Sequence, residues 1–374
     1  MRQFVGIWRV FGLGVVLSLA LVPGAGAISF DIVDLGTLGG SSSFGYDVNI
    51  LGQVTGIAEN SGGADRAFWS DGTGLPGSMT DLGTLPGQVP EHTLSAGQGI
   101  NDSGQVAGYS HYGQVEGVRA VIWDGGTIQN LGTLGGFRSL GRDINASGQV
   151  TGESNITGDA TQHAFLWDGS TMHDLGTLGG PQSWGAAIND AGLVTGWSQF
   201  STANATHAFL HNGLTMTDLG TLGGTGSDGQ GINGVGHVTG SSDIAGDAAR
   251  HMFLHDGTQM HDLGTLGGTF GAGFDLNDNG EVVGFSTTTA GALHAAYYDG
   301  QALFDLNDLI TVPGWELMGA TGINNVGQIT GYGTIGGETH AFLLTPTPPV
   351  PEPAGILLMG LGIMGVRARY RGRK

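Results

Sequence analysis

The fold is decided by a segment of 44 residues, Asp174–Thr217, which reads DLGTLGGPQSWGAAINDAGLVTGWSQFSTANATHAFLHNGLTMT. Its opening heptapeptide begins again at Asp34, Asp218 and Asp262, with imperfect copies at Asp81, Asn130 and Asp305. An Asn that follows an aliphatic residue recurs at Asn49, Asn101, Asn145, Asn189, Asn233, Asn277 and Asn324. A basic residue before Ala-Phe or a related pair recurs at Arg66, Arg119, His163, His207, His251, His294 and His340. The three landmarks each count seven copies of one repeat.

Each repeat has the pattern of four short antiparallel strands. In the quoted copy, Trp184–Ile188 and Leu193–Ser198 flank the turn Asn189–Gly192, and His207–Leu210 precedes the turn His211–Gly213. Turn residues about every ten positions between apolar runs are typical of antiparallel sheet. Four strands in each repeat indicate the blades of a β-propeller. A solenoid is the alternative, but it needs distinct capping repeats, which the sequence lacks.

The two ends of the array predict closure. Ser29–Leu35 has the pattern of a fourth strand with no repeat before it, and His340–Leu344 that of a third strand with no fourth after it. Pairing them would complete the seventh blade and remove two exposed sheet edges. We therefore expect an all-β fold, a seven-bladed β-propeller of four-stranded blades closed by its terminal strands, over residues 28–344.

The repeat resembles the bacterial HAF-repeat family of extracellular proteins. The resemblance rests on the His-Ala-Phe tripeptide at His163, His207 and His340 together with the Leu-Gly-Thr-Leu-Gly-Gly segment, and it spans residues 31–344. It implies an exported protein. It implies no particular activity.

Composition excludes several classes of function. The 374 residues include 74 glycines and no cysteine, and the formal net charge is −20. Without cysteine there are no disulfides, thiolate metal sites or cysteine nucleophiles. Five arginines and 31 acidic residues lie within residues 28–349, so nucleic acid is not an expected partner.

Residues 1–27 have the pattern of a secretory signal peptide. Arg2 and Arg9 precede an apolar run over Val10–Val22, and Ala25-Gly26-Ala27 offers a cleavage site after Ala27. An uncleaved membrane anchor is the alternative, although the run is short for a span of about 20 residues.

The C-terminal end combines three signals. A Pro-rich linker at 345–353 ends in Pro351-Glu352-Pro353, an apolar stretch covers Ala354–Val366, and a basic tail covers Arg367–Lys374. The order resembles the PEP-CTERM sorting tail of Gram-negative bacteria. The resemblance implies an exosortase-type membrane protease as a partner, transient inner-membrane anchoring by a single span at 354–374, and release to the envelope or exterior. A simple tail anchor is the alternative.

Two motifs suggest metal binding. The recurrent His would form a ring of imidazoles, but third strands lie about one blade apart, which favours a histidine bonded to backbone or to a neighbouring blade. Asp275–Gly280 fits the first half of a calcium loop, yet its twelfth position is Ser286 and it coincides with a hairpin turn. We expect no cofactor and no metal site, with weak calcium binding as the alternative.

No catalytic residues are predicted, because a catalytic site must break the repeat symmetry and nothing in the sequence pairs the non-repeated glutamates. The favoured function is a non-enzymatic surface or matrix protein that binds polysaccharide or another envelope component. The alternative is an extracellular polysaccharide hydrolase or lyase. An enzyme should concentrate its irregular polar residues in one pocket, whereas a binding protein should spread them over a face.

The variable loops between second and third strands are the expected binding face, since recognition usually resides in loops on a rigid scaffold. This face should present acids and aromatic rings to a sugar polymer, with a cation able to bridge the acids to an anionic one. The predicted ligand-binding residues are Glu59, Tyr112, Glu116, Glu153, Phe200 and Glu338.

The two end signals predict the mass of the mature protein. Material recovered outside the host cell should lack residues 1–27 and the tail beyond Pro353, because both segments are removed during export and sorting. Intact-mass measurement checks this expectation. Extracellular protein that still contained Ala354–Lys374 would contradict the sorting-tail prediction.

Overall fold

Antiparallel strands form almost all of the regular structure. The computed structural model describes residues 28–75, 77–86, 94–112, 117–159, 161–200 and 205–348. Ser29–Thr347 form one contact unit. Within the described ranges the one helical element is a 3₁₀ turn at Leu306–Asp308. The expected signal peptide and the sorting tail lie outside the described residues.

The strands are grouped by their place in each repeat. The first strands are β2 (Gly39–Val48), β6 (Ser95–Ile100), β10 (Gly135–Ile144), β14 (Gly179–Ile188), β18 (Gly223–Ile232), β22 (Gly267–Leu276) and β26 (Trp315–Ile323). The second strands are β3 (Val54–Asn60), β7 (Val106–Tyr112), β11 (Val150–Ile156), β15 (Val194–Phe200), β19 (Val238–Ile244), β23 (Val282–Thr288) and β27 (Ile329–Ile335).

The third and fourth strands of each repeat pair antiparallel with each other. The third strands are β4 (Asp65–Ser70), β8 (Gly117–Asp124), β12 (Gln162–Trp167), β16 (Thr206–His211), β20 (Arg250–His255), β24 (Leu293–Tyr298) and β28 (Glu338–Pro346). The fourth strands are β5 (Met79–Asp81), β9 (Thr127–Asn130), β13 (Met172–Asp174), β17 (Met216–Asp218), β21 (Met260–Gly264), β25 (Leu303–Asp305) and β1 (Phe30–Gly36). In each repeat the order is first, second, third, fourth, with β1 completing the sheet of β26, β27 and β28. Short parallel bridges join β28 to β2 and β20 to β22.

The first strand, β1, pairs over its length with the C-terminal part of the last strand, β28. Phe30 of β1 lies opposite Pro346 of β28, and the Thr347 N–H donates to the Ser29 carbonyl at 2.9 Å. The Phe30 side chain is 2% exposed and packs in the same core cluster as Phe342 and Leu344. The N-terminal strand is therefore an integral part of the last repeat.

Each residue of the His-Ala-Phe tripeptide holds the third strand by a different contact. In β16, the His207 imidazole Nδ1 lies 2.9 Å from the Asp218 carboxylate on the fourth strand. The Ala208 N–H donates to Ser227 Oγ of the next repeat at 2.9 Å, and Phe209 is fully buried. Equivalent His–Asp pairs occur at His163–Asp174, His251–Asp262, His294–Asp305 and His340–Asp34. The partner of the recurrent His is thus a carboxylate of the adjacent strand, rather than backbone or a neighbouring blade.

The recurrent Asn joins each repeat to the next. Asn189 Oδ1 accepts the N–H groups of Ala191 and Leu193, which holds its own hairpin turn, and its Nδ2 donates to the Asn233 carbonyl at 3.0 Å. The same donation runs from Asn49 to Asn101, Asn101 to Asn145, Asn145 to Asn189, Asn233 to Asn277, Asn277 to Asn324, and Asn324 to Asn49. We call this circuit of seven side chains the asparagine ring.

Replacing one member of the ring should destabilise the whole unit. Asn189→Ala leaves the buried Asn233 carbonyl without its side-chain donor and the Ala191 and Leu193 N–H groups without their side-chain acceptor. The bond to the Asn233 carbonyl is buried, and a buried group that loses its partner costs about 1–3 kcal/mol. The expected result is a loss of about 2–4 kcal/mol in the free energy of unfolding, measured by urea denaturation. The control is Ala191→Ser, an exposed change in the same turn. Equal stability of the two variants would contradict the role of the ring.

Candidate functional site

Every first strand contains a β-bulge at the same place. The pairing with the second strand skips one residue between Gly185 and Ala187, and the equivalent skip occurs in the other six repeats. A bulge leaves one residue unpaired and re-aims its side chain. The bulged residues, each three positions before a ring asparagine, are Tyr46, Gln98, Arg142, Ala186, Gln230, Phe274 and Thr321.

All seven bulged residues line one cavity of ≈ 600 Å³, here called the shared cavity. Four further side chains complete its lining: Phe44, Trp184, Trp197 and Tyr332. Six residue types occur at the seven bulged positions. The scaffold repeats, but the lining of the cavity does not. A cavity of this size is within the range of small-molecule sites.

Two pairs of aromatic rings form parts of the wall. Phe44 and Tyr332 lie with ring centroids 5.1 Å apart, and Trp184 and Trp197 lie 5.6 Å apart. Tyr46 is also in the lining, and burial raises the pKa of its hydroxyl above its usual value, so it remains a neutral hydrogen-bonding group. These rings give the cavity apolar surfaces that carry hydroxyl groups at their edges.

Arg142 is held in place from three sides. Its Nε and Nη2 donate to the two carboxylate oxygens of Glu153 at 3.1 and 3.0 Å, and its Nη1 donates to Gln98 Oε1 at 3.1 Å. The guanidinium also lies 4.5 Å from the Trp184 ring centroid. Glu153 is 2% exposed, and burial raises the pKa of its carboxyl, an effect that Arg142 opposes. The pair is a bidentate, locally neutral ion pair in the wall.

A second ion pair lies behind Gln230. Gln230 Nε2 donates to Asp228 Oδ2 at 2.8 Å, while Asp228 Oδ1 accepts from Ser241 Oγ at 2.7 Å and from Arg250. Arg250 also donates to Asp243 at 3.0 Å. The amide of Gln230 is therefore fixed from behind by a carboxylate that already has its own cation.

A smaller cavity of ≈ 280 Å³ lies at the asparagine ring, and three carboxylates lie close to that ring in the sequence. Asp47, Asp143 and Asp275 each stand two positions before a ring asparagine and form what we call the carboxylate belt. Each accepts one N–H from the next residue and another from the following repeat, those of Ile100, Ile188 and Ile323 at 2.7–2.8 Å. Desolvation raises the pKa of Asp47 to about 6 and that of Asp275 to about 7. The pKa of Asp143 is also raised by desolvation, with repulsion from Asp47 as the second cause.

Four of the predicted ligand residues lie at the connection between second and third strands, in four different repeats. Glu59 accepts hydrogen bonds from the Ser41 N–H and Oγ at 2.9 and 2.6 Å, which lower the pKa of its carboxyl. Tyr112 is 43% exposed beneath the Arg119 guanidinium, and Phe200 packs edge-on against His207 at 4.6 Å. The Glu338 side chain is exposed. The contacts of these four side chains are with other residues, namely Ser41, Arg119, His207 and His340.

The placement of Glu153 on the loop face requires correction. Its side chain is buried within β11, where it pairs with Arg142 at the wall of the shared cavity. Glu116, Ala27, Pro351, Glu352 and Pro353 lie outside the described residues.

The calcium-like stretch is the hairpin turn of the sixth repeat. Asp275 accepts the Leu276 and Ile323 N–H groups, and Asn277 belongs to the asparagine ring. Within the part of the chain that the structure describes, no group of three or more His, Cys, Asp or Glu side chains could hold a metal ion.

Sequence reasoning missed the bulged position, although the sequence carries a signal for it. Six of the seven repeats have Gly four positions before the ring asparagine, and the next residue varies freely. A variable residue directly after a shared glycine marks a position outside the shared packing.

The comparisons with known proteins identify one segment. Residues 349–374 match the PEP-CTERM protein-sorting motif. The motif indicates an exported protein with a C-terminal sorting tail. No helix among the described residues is long and apolar enough to cross a membrane.

The comparisons give no relative for the repeat region. No curated protein matches the chain. Among solved structures, a putative TolB from Agrobacterium tumefaciens has a TM-score of 0.43 at 14% identity, covering 72% of this chain and 94% of its own. TolB from Acinetobacter baumannii has a TM-score of 0.42 at 11% identity, covering 87% of this chain and 64% of its own, so the chain spans less than two thirds of it. A mutant of the Aleuria aurantia lectin AAL in complex with Fucalpha1-6GlcNAc has a TM-score of 0.35 at 13% identity, covering 69% and 96%. Likenesses of this size define neither fold nor function.

The carboxylate belt should make stability depend on pH. Because the folded-state pKa values of Asp47 and Asp275 are raised, their contribution is fully present below about pH 4, the unfolded value, and is lost as pH rises through 6 to 7. Relative to the double variant Asp47→Asn/Asp275→Asn, the free energy of unfolding of the wild type should therefore fall between pH 4 and pH 8.

Urea denaturation at each pH measures this difference. His211 and His255, whose pKa values burial lowers, are present in both proteins, so their contributions cancel. The exposed change Asp190→Asn serves as the control. A wild-type-minus-variant difference that stayed constant with pH would contradict the prediction.

Proposed function

We propose that Ser29–Thr347 form a seven-bladed β-propeller, closed by β1 and β28, which binds a saccharide in the shared cavity of an exported, non-enzymatic protein. The four-stranded repeats, the closed circuit of the asparagine ring and the pairing of the terminal strands support the architecture. The observation that carries the binding role is the cavity lined by one bulged residue from every repeat.

The chemistry of the lining favours a saccharide. A pyranose ring has apolar C–H faces that pack on aromatic rings and hydroxyl groups that need donors and acceptors. The shared cavity supplies both, through Trp184, Trp197 and Tyr332 for the faces and Gln98 and Gln230 for the hydroxyl groups. A purely apolar ligand would leave the amide nitrogen of Gln98 and the amide oxygen of Gln230 without a partner, at a cost in free energy.

Binding is favoured over hydrolysis by the state of the acidic groups. The irregular polar residues do gather in one cavity, as expected of an enzyme. However, Glu153 in its wall is engaged on both oxygens by Arg142, and Asp228 is engaged by Gln230, Ser241 and Arg250. A glycosidase needs two carboxyl groups facing the substrate, one as a proton donor. Groups already paired in this way orient a ligand better than they transfer a proton to it.

The match of the C-terminal segment to the sorting motif supports a role outside the cytoplasm. We propose that residues 1–27 are a signal peptide, that the apolar span Ala354–Val366 with its basic tail anchors the protein in the inner membrane for a time, and that an exosortase-type protease releases it. The protein then acts at the envelope or in the extracellular matrix. The loop face with Glu59, Tyr112, Phe200 and Glu338 stays a second proposed contact surface for polysaccharide.

Removing the indole pair should weaken saccharide binding strongly. The variant Trp184→Ala/Trp197→Ala is compared with the wild type by calorimetric titration with a panel of methyl glycosides, in neutral and uronic forms. Base stacking on an aromatic side chain is worth about 1–3 kcal/mol, and a comparable loss for each ring predicts binding weaker by about thirtyfold or more for the pair.

Two further variants locate the site. Phe137→Ala removes an aromatic side chain that is 44% exposed and outside the cavity lining, and should leave the affinity unchanged. The variant Tyr112→Ala/Phe200→Ala tests the loop face. Loss of binding only in the loop-face variant would move the site there, and no binding of any glycoside to the wild type would overturn the proposed function.

A further inference from the structure

The amide groups of Gln98 and Gln230 have fixed and opposite orientations. A guanidinium can only donate, so the contact with Arg142 must be made by the Gln98 oxygen, which leaves its NH₂ group for a ligand. An ionised carboxylate can only accept, so the contact with Asp228 must be made by the Gln230 nitrogen, which leaves its oxygen. The wall thus offers a fixed neutral donor from the second repeat and a fixed neutral acceptor from the fifth.

The full charges around the shared cavity are already paired. Glu153 takes up the Nε and Nη2 donors of Arg142, the geometry by which a guanidinium would otherwise clamp a ligand carboxylate. Arg250 is shared between Asp228 and Asp243. A ligand carboxylate would therefore meet guanidinium donors that are already occupied.

On the basis of the proposed saccharide site, we infer that the shared cavity selects an uncharged pyranose over a uronic acid. Gln98 and Gln230 are the specificity-determining residues, because a sugar hydroxyl can both accept from one and donate to the other. Glu153 is a positioning residue that withholds Arg142 from acidic ligands. The uncharged ligand inferred for the shared cavity differs from the ligand expected at the loop face, which is an anionic polymer held through bridging cations.

The change Glu153→Gln tests the selection directly. The amide can accept only one of the two guanidinium bonds and carries no charge, so Arg142 becomes an unpaired cation in the wall. The matched probes are methyl glucoside and methyl glucuronoside, which differ only in a hydroxymethyl group against a carboxylate. The wild type should bind the glucoside at least about tenfold more tightly. In Glu153→Gln the ratio of the two dissociation constants should move toward the glucuronoside by about tenfold or more, the worth of a charge-assisted hydrogen bond.

Two control variants test whether the unpaired charge of Arg142 causes the change in selectivity. Glu316→Gln removes an exposed carboxylate that does not line the cavity, and its ratio should equal that of the wild type. The double variant Arg142→Gln/Glu153→Gln removes both charges of the pair and should not gain glucuronoside affinity.

The outcomes separate this inference from the proposed function. Equal or tighter binding of glucuronoside by the wild type overturns the inference and leaves the saccharide site standing. So does an unchanged ratio in a folded Glu153→Gln protein. Absence of binding by either probe and by the rest of the glycoside panel overturns the proposed function itself. If Glu153→Gln does not fold, the inference is still tested by the ratio of the two dissociation constants in the wild type and by the glucuronoside affinity of the double variant.

Discussion

The hydrogen bond from each ring asparagine to the carbonyl of the next one is the constraint on which the rest of the repeat region depends. One amide fixes its own hairpin through Oδ1 and the neighbouring repeat through Nδ2, so local turn geometry and the spacing of repeats are set together. The apolar clusters follow from that spacing. Ala208 of the fourth repeat packs with Ile232, Val238 and Phe253 of the fifth, and Met252 of the fifth packs with Leu276 and Val282 of the sixth. There are several small cores that span neighbouring repeats, each aligned by the polar bonds at the turns.

The β-bulge explains how a repeated scaffold can carry a single asymmetric site. Gly185 has no room for a side chain, because a Cβ there would lie 2.4 Å from Thr151 Oγ1 of the preceding repeat. The following residue, Ala186, is lifted out of this contact by the bulge, and its equivalents range from Tyr46 to Arg142. Packing between repeats therefore restricts the first of these positions to a small residue, whereas the bulged position that follows accepts side chains of any size. The seven bulged residues line the shared cavity, where a change of side chain alters the groups offered to a ligand without disturbing the contacts between repeats.

The sequence predicts well the structural features that all seven repeats share. Strand number, the asparagine turns and the structural role of the recurrent His follow from patterns that occur seven times, and the spacing of 11 residues from His207 to Asp218 is itself constant over several copies. The cavity could not be predicted in the same way, because a bulge shifts the register by one residue and leaves no trace in hydrophobic alternation. Glu153 shows the consequence. A glutamate near a variable loop is ordinarily solvated, and its burial becomes intelligible only when the bulge brings Arg142 against it across two strands.

The distribution of arginine argues for function over stability at this place. Residues 28–349 contain five arginines against 31 acids, so cations are scarce on this chain. Two of the five, Arg142 and Arg250, lie in or directly behind the wall of the shared cavity, each paired with carboxylates that are themselves largely buried. Replacing buried ion pairs with apolar residues is often neutral or stabilising, because desolvation of the charges offsets their attraction. A fold that needed only a filled interior would place aliphatic residues here, as it does in the seven apolar clusters. The paired charges instead hold Gln98 and Gln230 in single orientations, and a fixed donor and a fixed acceptor are what recognition of a hydroxylated ligand requires.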